Sequence, residues 1–587
     1  MIDTSPACRL ASAARKSGRI RLEGNRKQAL EKSRGRLLVT GAVIAAAFLA
    51  IAGRLVDLTL YDLGAEPRLA HSAPAQPAAG ARADIVDRNG VILATSLPIA
   101  SLYADPREVI DAGEAADKLA GVLAGLDRDK VLAKLKSPGS FVWLRRNLTP
   151  NQHYEVNRLG IPGLFFQRGE RRVYPHGRTV SHVLGLTDVD GRGIAGVERY
   201  FDQTLRRGGA GMALALDLRI QDMLRRELSS AVDEFDAAGA AGLILDVATG
   251  EVLAMVSLPD FDPNVPAGAR GKPGFNRVTK GVYEMGSTFK LFTTAMALDS
   301  GTVTLRDGYD ASRPINISRF TISDFHGKNR WLTVPEILVY SSNIGAAKMA
   351  MDVGGPTQRR YLERLGLLNS PAIELPEVGT PLTPETWRDI NTMTISYGHG
   401  IAVSPLQMAG AVASVVNGGI RYPATLLKGN GGAAAVGERV LSAETSKQMR
   451  GLMRLVVRSG TGKKANARGY LVGGKTGTAE KMSANGYQSD SLISSFVGAF
   501  PIDRPRYVVM VLLDEPKGNE KTFNYATGGW VAAPVVRRMV RAMAPLLGIP
   551  PAGEDGKPGS GPARLASLRP GPAKPGEFTP RITDNDP

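Results

Sequence analysis

Two side chains that could act as a nucleophile and its base lie three residues apart in the sequence. Ser287 and Lys290 belong to Ser287-Thr288-Phe289-Lys290, just before the apolar run LFTTAMAL, which predicts a buried helix. Residues three apart share one helix face, so the lysine amine can reach the serine hydroxyl. A lysine acts as a base when burial lowers its pKa, and the apolar neighbour Met285 favours burial. The pair therefore predicts a nucleophile beside its base.

Two later segments supply further polar groups. Ser341-Ser342-Asn343 follows a helix-like segment, and Lys475-Thr476-Gly477-Thr478 follows in a strand-like context. A lone Ser-x-x-Lys is expected by chance in a chain of 587 residues, whereas three such elements in this order are specific. The order outweighs the alternative that each polar residue only caps a helix or turn.

The elements that must position these motifs are predicted from local patterns. Alternating apolar runs around Asn89-Gly90 and Thr249-Gly250 predict two hairpins, the second with half-buried strands. Two late β-rich runs, 494–502 and 506–515, are separated from the second hairpin by helix-like segments. This pattern predicts an α+β domain in which an antiparallel sheet carries helices.

The N-terminal part predicts a membrane anchor. Residues 1–36 carry ten basic and three acidic side chains, +7 of the formal total of +17. Residues 37–53 are uncharged and as a helix cover about 26 Å, slightly less than a hydrocarbon core of roughly 30 Å, which residues 55–60 can complete. The positive-inside rule keeps the arm in the cytoplasm and the body outside it. The alternative is a cleaved signal peptide, but no A-x-A site follows the run.

Composition divides the chain and excludes several classes. We expect a basic arm at 1–36, a transmembrane helix at 37–60, a linker at 61–82, a pedestal at 83–211, a catalytic domain at 212–548 and a disordered Pro/Gly-rich tail at 549–587. Cys8 is the only cysteine, so neither an intramolecular disulfide nor a Cys-based zinc site exists. With the body outside the cytoplasm, the positive charge does not indicate nucleic-acid binding.

Longer segments around the motifs resemble the class B penicillin-binding proteins. YEMGSTFK, YSSNIGAAK, SYGHGIAVSPLQ and GGKTGTAEK are similar to a penicillin-binding transpeptidase domain, and residues 83–90, 172–175 and 193–198 are similar to the family's N-terminal pedestal. The single anchor, short arm and modest pedestal resemble the division-specific branch. Ala83 departs from the glycine of the pattern R-G-x-I-x-D-R. The resemblance implies a serine-transpeptidase fold on a mixed α/β pedestal.

The resemblance also implies a reaction and a role for each residue. Ser287 would attack a peptidoglycan stem peptide ending in D-Ala-D-Ala, and β-lactams would acylate the same hydroxyl. Lys290 would be the base for acylation. Ser341 and Lys475 would transfer the proton to the leaving amine, and Asn343 would bind the peptide amide. The N–H groups of Ser287 and Thr478 would form the oxyanion hole. Thr476 and Thr478, beside Gly477, would bind the terminal carboxylate. No cofactor and no metal is implied.

The resemblance implies partners in the bacterial inner membrane, with the catalytic domain in the periplasm. A transpeptidase without its own polymerase would work beside a glycosyltransferase of the SEDS family and other division proteins. We expect the anchor and the pedestal residues Arg172, Tyr174 and Glu198 to carry this coupling. The alternative is that Arg172 and Glu198 pair within the pedestal core, as buried Arg and Glu usually do.

Sequence features also bear on the alternative functions. A class A β-lactamase would carry Glu-x-x-Leu-Asn between the second and third motifs, whereas Glu385 is followed by Thr-Trp-Arg-Asp. An elongation-type class B transpeptidase and a non-catalytic β-lactam-binding scaffold or sensor stay as alternatives, although the intact motifs argue against an inactive site. A metal enzyme is disfavoured because the six histidines are scattered.

Overall fold

The computed structural model describes residues 39, 41–52, 82–209, 211–317, 320–429, 436–483 and 486–552. The chain divides into two compact units, residues 1–76 and 77–587. In the first unit the described residues are helical and exposed, and they lie inside the predicted span 37–60. None of the helices in the described part of the chain combines the length and the hydropathy of a membrane-spanning helix. The predicted arm, nearly all of the linker and residues 553–587 of the predicted tail lie outside the described ranges.

The pedestal combines a small sheet with short helices. Its strands are β1 (Ile85–Val86), β2 (Ile92–Ala104), β3 (Val142–Leu148), β4 (Leu164–Val173), β5 (Leu186–Thr187), β6 (Gly193–Ala195) and β7 (Met212–Ala213). Its helices are α1 (Ala112–Val122), α2 (Arg128–Leu135), α3 (Pro150–Arg158), α4 (Ser181–Leu184), α5 (Gly196–Tyr200) and α6 (Asp202–Arg206), with a 3-10 turn at Gly177–Val180. Strand β2 pairs antiparallel with β1, β3 and β4, and β1 pairs parallel with β7.

The predicted hairpin at Asn89-Gly90 is confirmed as β1 and β2, but its connection is longer than the two residues expected. Residues 88–90 form the loop, which is closed by a backbone hydrogen bond from the Asp87 N–H to the Val91 carbonyl oxygen at 2.8 Å. The Asp87 carboxylate also accepts hydrogen bonds from the backbone N–H groups of Asn89 at 2.7 Å and Val91 at 2.9 Å, and these stabilise the longer loop.

The pedestal residues proposed from the sequence as partner contacts are buried. Glu198 is completely buried, and its carboxylate oxygens lie 2.6 Å from Arg82 Nε and 2.7 Å from Arg172 Nε. Tyr174 is 2% exposed, and burial raises the pKa of its hydroxyl. These three side chains are therefore not accessible to a partner, and the alternative that Arg172 and Glu198 pair within the core is what the structure has.

The catalytic domain is built on a larger sheet. Its strands are β8 (Gly239–Asp246), β9 (Val252–Leu258), β10 (Gly308–Asp310), β11 (Ile315–Ile317), β12 (Phe320–Ile322), β13 (Trp331–Thr333), β14 (Ile420–Arg421), β15 (Glu438–Arg439), β16 (Gly473–Ser483), β17 (Gly486–Phe500) and β18 (Tyr507–Asp514). The main sheet has the order β16-β17-β18-β8-β9, and every neighbouring pair in it is antiparallel. The predicted antiparallel sheet of an α+β domain is confirmed.

Ten helices in the described ranges belong to this domain. They are α7 (Leu218–Glu234), α8 (Lys290–Asp299), α9 (Val334–Tyr340), α10 (Asn343–Val353), α11 (Gly355–Arg364), α12 (Asp389–Ile395), α13 (Pro405–Val416), α14 (Ala443–Ser459), α15 (Gly528–Val531) and α16 (Ala533–Leu546). Single 3-10 turns lie at Pro266–Ala269, Lys272–Gly274, Gly286–Phe289, Lys463–Ala465 and Glu520–Thr522.

The sheet is buried on both faces, which corrects the prediction of half-buried strands in the second hairpin. The hairpin itself is confirmed as β8 and β9, yet β9 is buried along its whole length. Alternate β8 residues enter two apolar clusters, one shared with α7 and α16 and the other shared with α8 and α13. Helices distant in sequence thus cover both faces, so the strands carry continuous apolar runs rather than an alternation.

Candidate active site

The predicted nucleophile lies on a 3-10 turn rather than on the helix itself. Ser287 belongs to Gly286–Phe289, which leads directly into α8 at Lys290. In a 3-10 turn residues i and i+3 are eclipsed, and here Lys290 Nζ lies 2.8 Å from Ser287 Oγ. The predicted contact between the two side chains is present, although the local geometry that makes it is tighter than an α-helical turn.

The Lys290 amine is completely buried and lies among four oxygen atoms. Besides Ser287 Oγ, these are the carbonyl oxygen of Ser341 at 2.7 Å, Asn343 Oδ1 at 2.6 Å and Ser341 Oγ at 3.2 Å. Burial, followed by the positive charge of Lys475, holds the pKa of Lys290 well below its usual value. An amine in this environment is neutral over a wider pH range than a surface lysine.

The neutral amine has two N–H groups and one lone pair, which decides what it can do to Ser287. The Ser341 carbonyl and Asn343 Oδ1 can only accept hydrogen bonds, and they are the two shortest contacts. When both N–H groups point to these acceptors, the lone pair faces the hydroxyl groups. The arrangement allows Lys290 to receive the Ser287 proton.

The second motif joins two helices at the site. Ser341 ends α9 in the left-handed region with a φ of 62°, and Ser342 caps α10 by accepting a hydrogen bond from the N–H of Gly345 at 3.0 Å. This reversal directs the Ser341 hydroxyl towards both lysines, because Lys475 Nζ lies 2.9 Å from Ser341 Oγ. Burial lowers the pKa of Lys475 to about 7. Ser341 therefore bridges a neutral amine and one that titrates near neutrality.

The third motif lies on β16, directly against the nucleophile turn. Gly286 has a φ of 53°, and a Cβ atom added to it would lie 2.4 Å from the carbonyl oxygen of Thr478. A Cβ atom on Gly477 would lie 2.4 Å from the carbonyl oxygen of Met285. Only glycine permits this approach of turn and strand. The Thr478 hydroxyl accepts a hydrogen bond from the N–H of Gly528, at 3.1 Å, which ties β16 to α15 behind it.

Three residues near the site were not found from the sequence. The Asp324 carboxylate lies at the start of α10, and the Thr461 hydroxyl lies 2.8 Å from that of Thr476. His399 lies near Lys290, and burial, followed by any positive charge on Lys290, lowers the pKa of the imidazole. No spacing rule connects these positions to the motifs. Within the described ranges, no group of three His, Cys, Asp or Glu side chains is arranged to hold a metal ion.

Two family descriptions match the chain. The Penicillin binding protein transpeptidase domain matches residues 240–541, more than half of the chain, and the Penicillin-binding Protein dimerisation domain matches residues 77–214. The described catalytic residues all fall within the first range, and Arg172, Tyr174 and Glu198 fall within the second.

Curated relatives and solved structures resemble the chain over most of its length. The probable peptidoglycan D,D-transpeptidase FtsI of Caulobacter vibrioides is 42% identical over 488 residues, 81% of this chain and 83% of the relative. The peptidoglycan D,D-transpeptidase FtsI of Escherichia coli K12 is 30% identical over 510 residues, 81% of this chain and 85% of the relative. The penicillin-binding protein 3 of Mycobacterium tuberculosis, complexed with aztreonam, shares the fold with a TM-score of 0.64 at 24% identity and covers 82% of this chain and 98% of its own.

Proposed function

Since the chain belongs to the class B penicillin-binding proteins, we propose that it cross-links peptidoglycan at the division septum as a serine D,D-transpeptidase. The relatives named FtsI are peptidoglycan D,D-transpeptidases, which supports both the reaction and the septal role. The single observation that carries the chemistry is the buried Lys290 amine, 2.8 Å from the Ser287 hydroxyl, with its other short contacts to two carbonyl-type acceptors.

Acylation begins when the Ser287 proton passes to the Lys290 lone pair while Ser287 Oγ bonds to the carbonyl carbon between the two terminal D-alanines. The C–N bond of the tetrahedral intermediate then breaks, and the departing D-Ala amine takes a proton through Ser341. The contacts of 3.2 Å from Lys290 and 2.9 Å from Lys475 to Ser341 Oγ support this proton path. The product is an ester between Ser287 and the shortened stem peptide.

Deacylation reverses the proton movements with a different amine. An amine of a neighbouring stem peptide attacks the ester carbonyl, loses its proton through the same polar chain, and forms the cross-linking amide as the Ser287 ester bond breaks. Ser287 recovers its hydroxyl proton. The acceptor is an amine in this reaction and water in the β-lactamase reaction. Transpeptidation therefore does not need the carboxylate base with which a β-lactamase activates water.

Binding of the donor peptide divides between the strand and the second motif. The N–H groups of Ser287 and Thr478 serve as the oxyanion hole, a device in which one donor is worth on the order of 10² to 10³ in rate. Asn343 holds the peptide amide, and the Thr476 and Thr478 hydroxyls with Lys475 bind the terminal carboxylate. The close approach of the Gly286 turn to β16, beside Gly477, supports this pairing of the two elements.

Purified protein tests the reaction with a stem peptide ending in D-Ala-D-Ala and an amine acceptor. Mass spectrometry of the products is expected to show released D-Ala and the cross-linked peptide in equal amounts. Hydrolysed donor without cross-linked product, in the presence of excess acceptor, would contradict transpeptidation. Imaging of a fluorescently tagged copy is expected to place the protein at midcell, whereas signal along the side wall would contradict the septal role.

We also propose a position in the cell, with the N-terminal arm in the cytoplasm, residues 37–60 in the bacterial inner membrane and the catalytic domain in the periplasm. There the catalytic domain would work beside a SEDS-family glycosyltransferase that supplies glycan strands. The basic arm and the apolar helical residues 41–52 support this topology. Replacing 37–60 by an unrelated span is expected to preserve penicillin labelling yet to abolish septal growth. Normal division with the exchanged span would contradict coupling through the anchor.

Coupling through the pedestal must involve exposed side chains, because Arg172, Tyr174 and Glu198 are buried. Phe141 and Phe165 are 48% and 37% exposed and flank Tyr103 at ring-centroid distances of 4.7 and 5.4 Å. Exposed aromatic clusters of this kind are frequent in protein interfaces. Phe141 and Phe165 are therefore better candidates for partner contact than the three residues expected from the sequence.

A further inference from the structure

The segment between β12 and β13 is attached to the second catalytic motif through one carboxylate. Asp324 Oδ1 accepts hydrogen bonds from the N–H groups of Asn343 at 2.6 Å and Ile344 at 3.0 Å, and Asp324 Oδ2 accepts one from the Ser342 hydroxyl at 2.7 Å. Three donors thus converge on a single side chain at the first turn of α10. A carboxylate is favoured there because the free N–H groups and the helix dipole are both positive.

The neighbouring residue fixes the orientation of the Asn343 amide. Asn343 Nδ2 donates to the carbonyl oxygen of Ser323 at 2.9 Å, while Asn343 Oδ1 lies 2.6 Å from Lys290 Nζ. With the amide nitrogen held by Ser323, the oxygen must face the lysine. At its other end the segment is held by Arg330, whose guanidinium lies 2.7 Å from a carboxylate oxygen of Glu336 on α9.

We propose that Asp324 is a positioning residue of the transpeptidase reaction, which holds Ser342 and Asn343 so that Asn343 presents its oxygen to Lys290. The inference rests on the proposed function. With Asn343 Oδ1 and the Ser341 carbonyl occupying both N–H groups of the neutral amine, the remaining lone pair faces Ser287. Without the carboxylate, the start of α10 and the Asn343 amide lose their fixed orientation, and Lys290 loses one of the acceptors that direct it.

Asp324 also contributes charge. The charged groups that act on the Lys290 amine are the ammonium group of Lys475 and the carboxylate of Asp324, and the imidazole of His399 is close enough to interact with the same amine. Burial and Lys475 lower the pKa of Lys290, whereas the negative charge of Asp324 raises it. Removal of the Asp324 charge is therefore expected to lower this pKa further, so that the base stays neutral to lower pH.

The test compares acylation of the purified full chain by a β-lactam across pH in the parent and three variants. Asp324→Ala removes every acceptor, and the expected loss in acylation rate is about 10²-fold, the scale of a misplaced catalytic group. Asp324→Asn keeps one acceptor oxygen but not the charge, so a smaller loss is expected together with an acid limb displaced to lower pH. Asp352→Asn is the matched control, since it removes an exposed carboxylate near the other end of α10. It is expected to match the parent.

A purely structural role predicts lower melting temperatures without any change in the pH profile. The proposal is overturned when folded Asp324→Ala is acylated at the parent rate, when the acid limb of folded Asp324→Asn coincides with that of the parent, or when Asp352→Asn shifts the limb equally. If Asp324→Ala does not fold, the Asn variant decides alone. Failure of the proposed function is distinguishable, because the parent would then release no D-Ala from the stem peptide, whatever its rate of acylation by the β-lactam.

Discussion

Gly286→Ala isolates the contact between the nucleophile turn and β16. At a φ of 53° an alanine pays the left-handed penalty of about 1 to 2 kcal/mol. In addition, its Cβ atom would lie 2.4 Å from the Thr478 carbonyl oxygen, whereas ordinary contact begins near 3.4 Å. Turn and strand must therefore separate by about 1 Å, and a displacement of that size costs on the order of 10² in rate. Acylation by a fluorescent penicillin is expected to slow by that factor.

Gly301→Ala is the matched control, because it carries only the first of these two effects. Gly301 follows the C-terminal end of α8 with a φ of 72°, and no atom lies within 4 Å of its added Cβ. Gly301→Ala should lose only the small stability that the φ penalty costs, whereas Gly286→Ala should lose more stability and should also lose acylation. Acylation of folded Gly286→Ala within about twofold of the parent rate, or equal slowing of both variants, would refute this role of the contact.

Three further predictions concern charge. The acylation rate is expected to fall at acid pH, because protonated Lys290 has no lone pair to accept the Ser287 proton. It is expected to fall again above about pH 7 as Lys475 loses its proton. A rate that rises steadily up to the pKa of an ordinary lysine would contradict both expectations. Lys475→Ala should slow acylation by at least about 10²-fold and move the acid limb to higher pH, since the charge of Lys475 lowers the Lys290 pKa. An unmoved limb would show that the two amines do not interact. Glu198→Ala leaves Arg82 and Arg172 buried without their shared carboxylate and should destabilise the pedestal by about 3 to 5 kcal/mol in calorimetry, with penicillin labelling retained; a melting profile equal to that of the parent would refute the buried network.

Local patterns in the sequence predicted the parts of the fold and the site that depend on contacts between residues close in sequence. The three-residue spacing placed Lys290 beside Ser287, and the apolar runs on either side of Asn89-Gly90 and Thr249-Gly250 located both hairpins. The order of the motifs, together with the resemblance to the family, grouped Ser341, Asn343 and Lys475, and the structure brings their side chains together around Lys290. These predictions rest on the spacing of side chains along a helix, on the apolar pattern of strands and on the order of the motifs.

Features that depend on long-range packing could not be predicted. The burial of β9 results from helices far away in sequence, and the contact of Gly286 with Thr478 joins segments that no periodicity relates. Asp324 had no signal, since a single carboxylate in a polar loop is usually solvated. For Arg172 and Glu198 the sequence left two readings open, and only the fold showed the buried pair.

Covalent labelling shows whether Ser287 is the nucleophile of this protein. The parent protein and Ser287→Ala are incubated with a β-lactam, and the site of attachment is determined by mass spectrometry of proteolytic peptides, with circular dichroism to show that both proteins are folded. We expect one adduct, on the peptide that contains Ser287, in the parent protein and no adduct in the variant. An adduct on another residue, or undiminished labelling of Ser287→Ala, would contradict it.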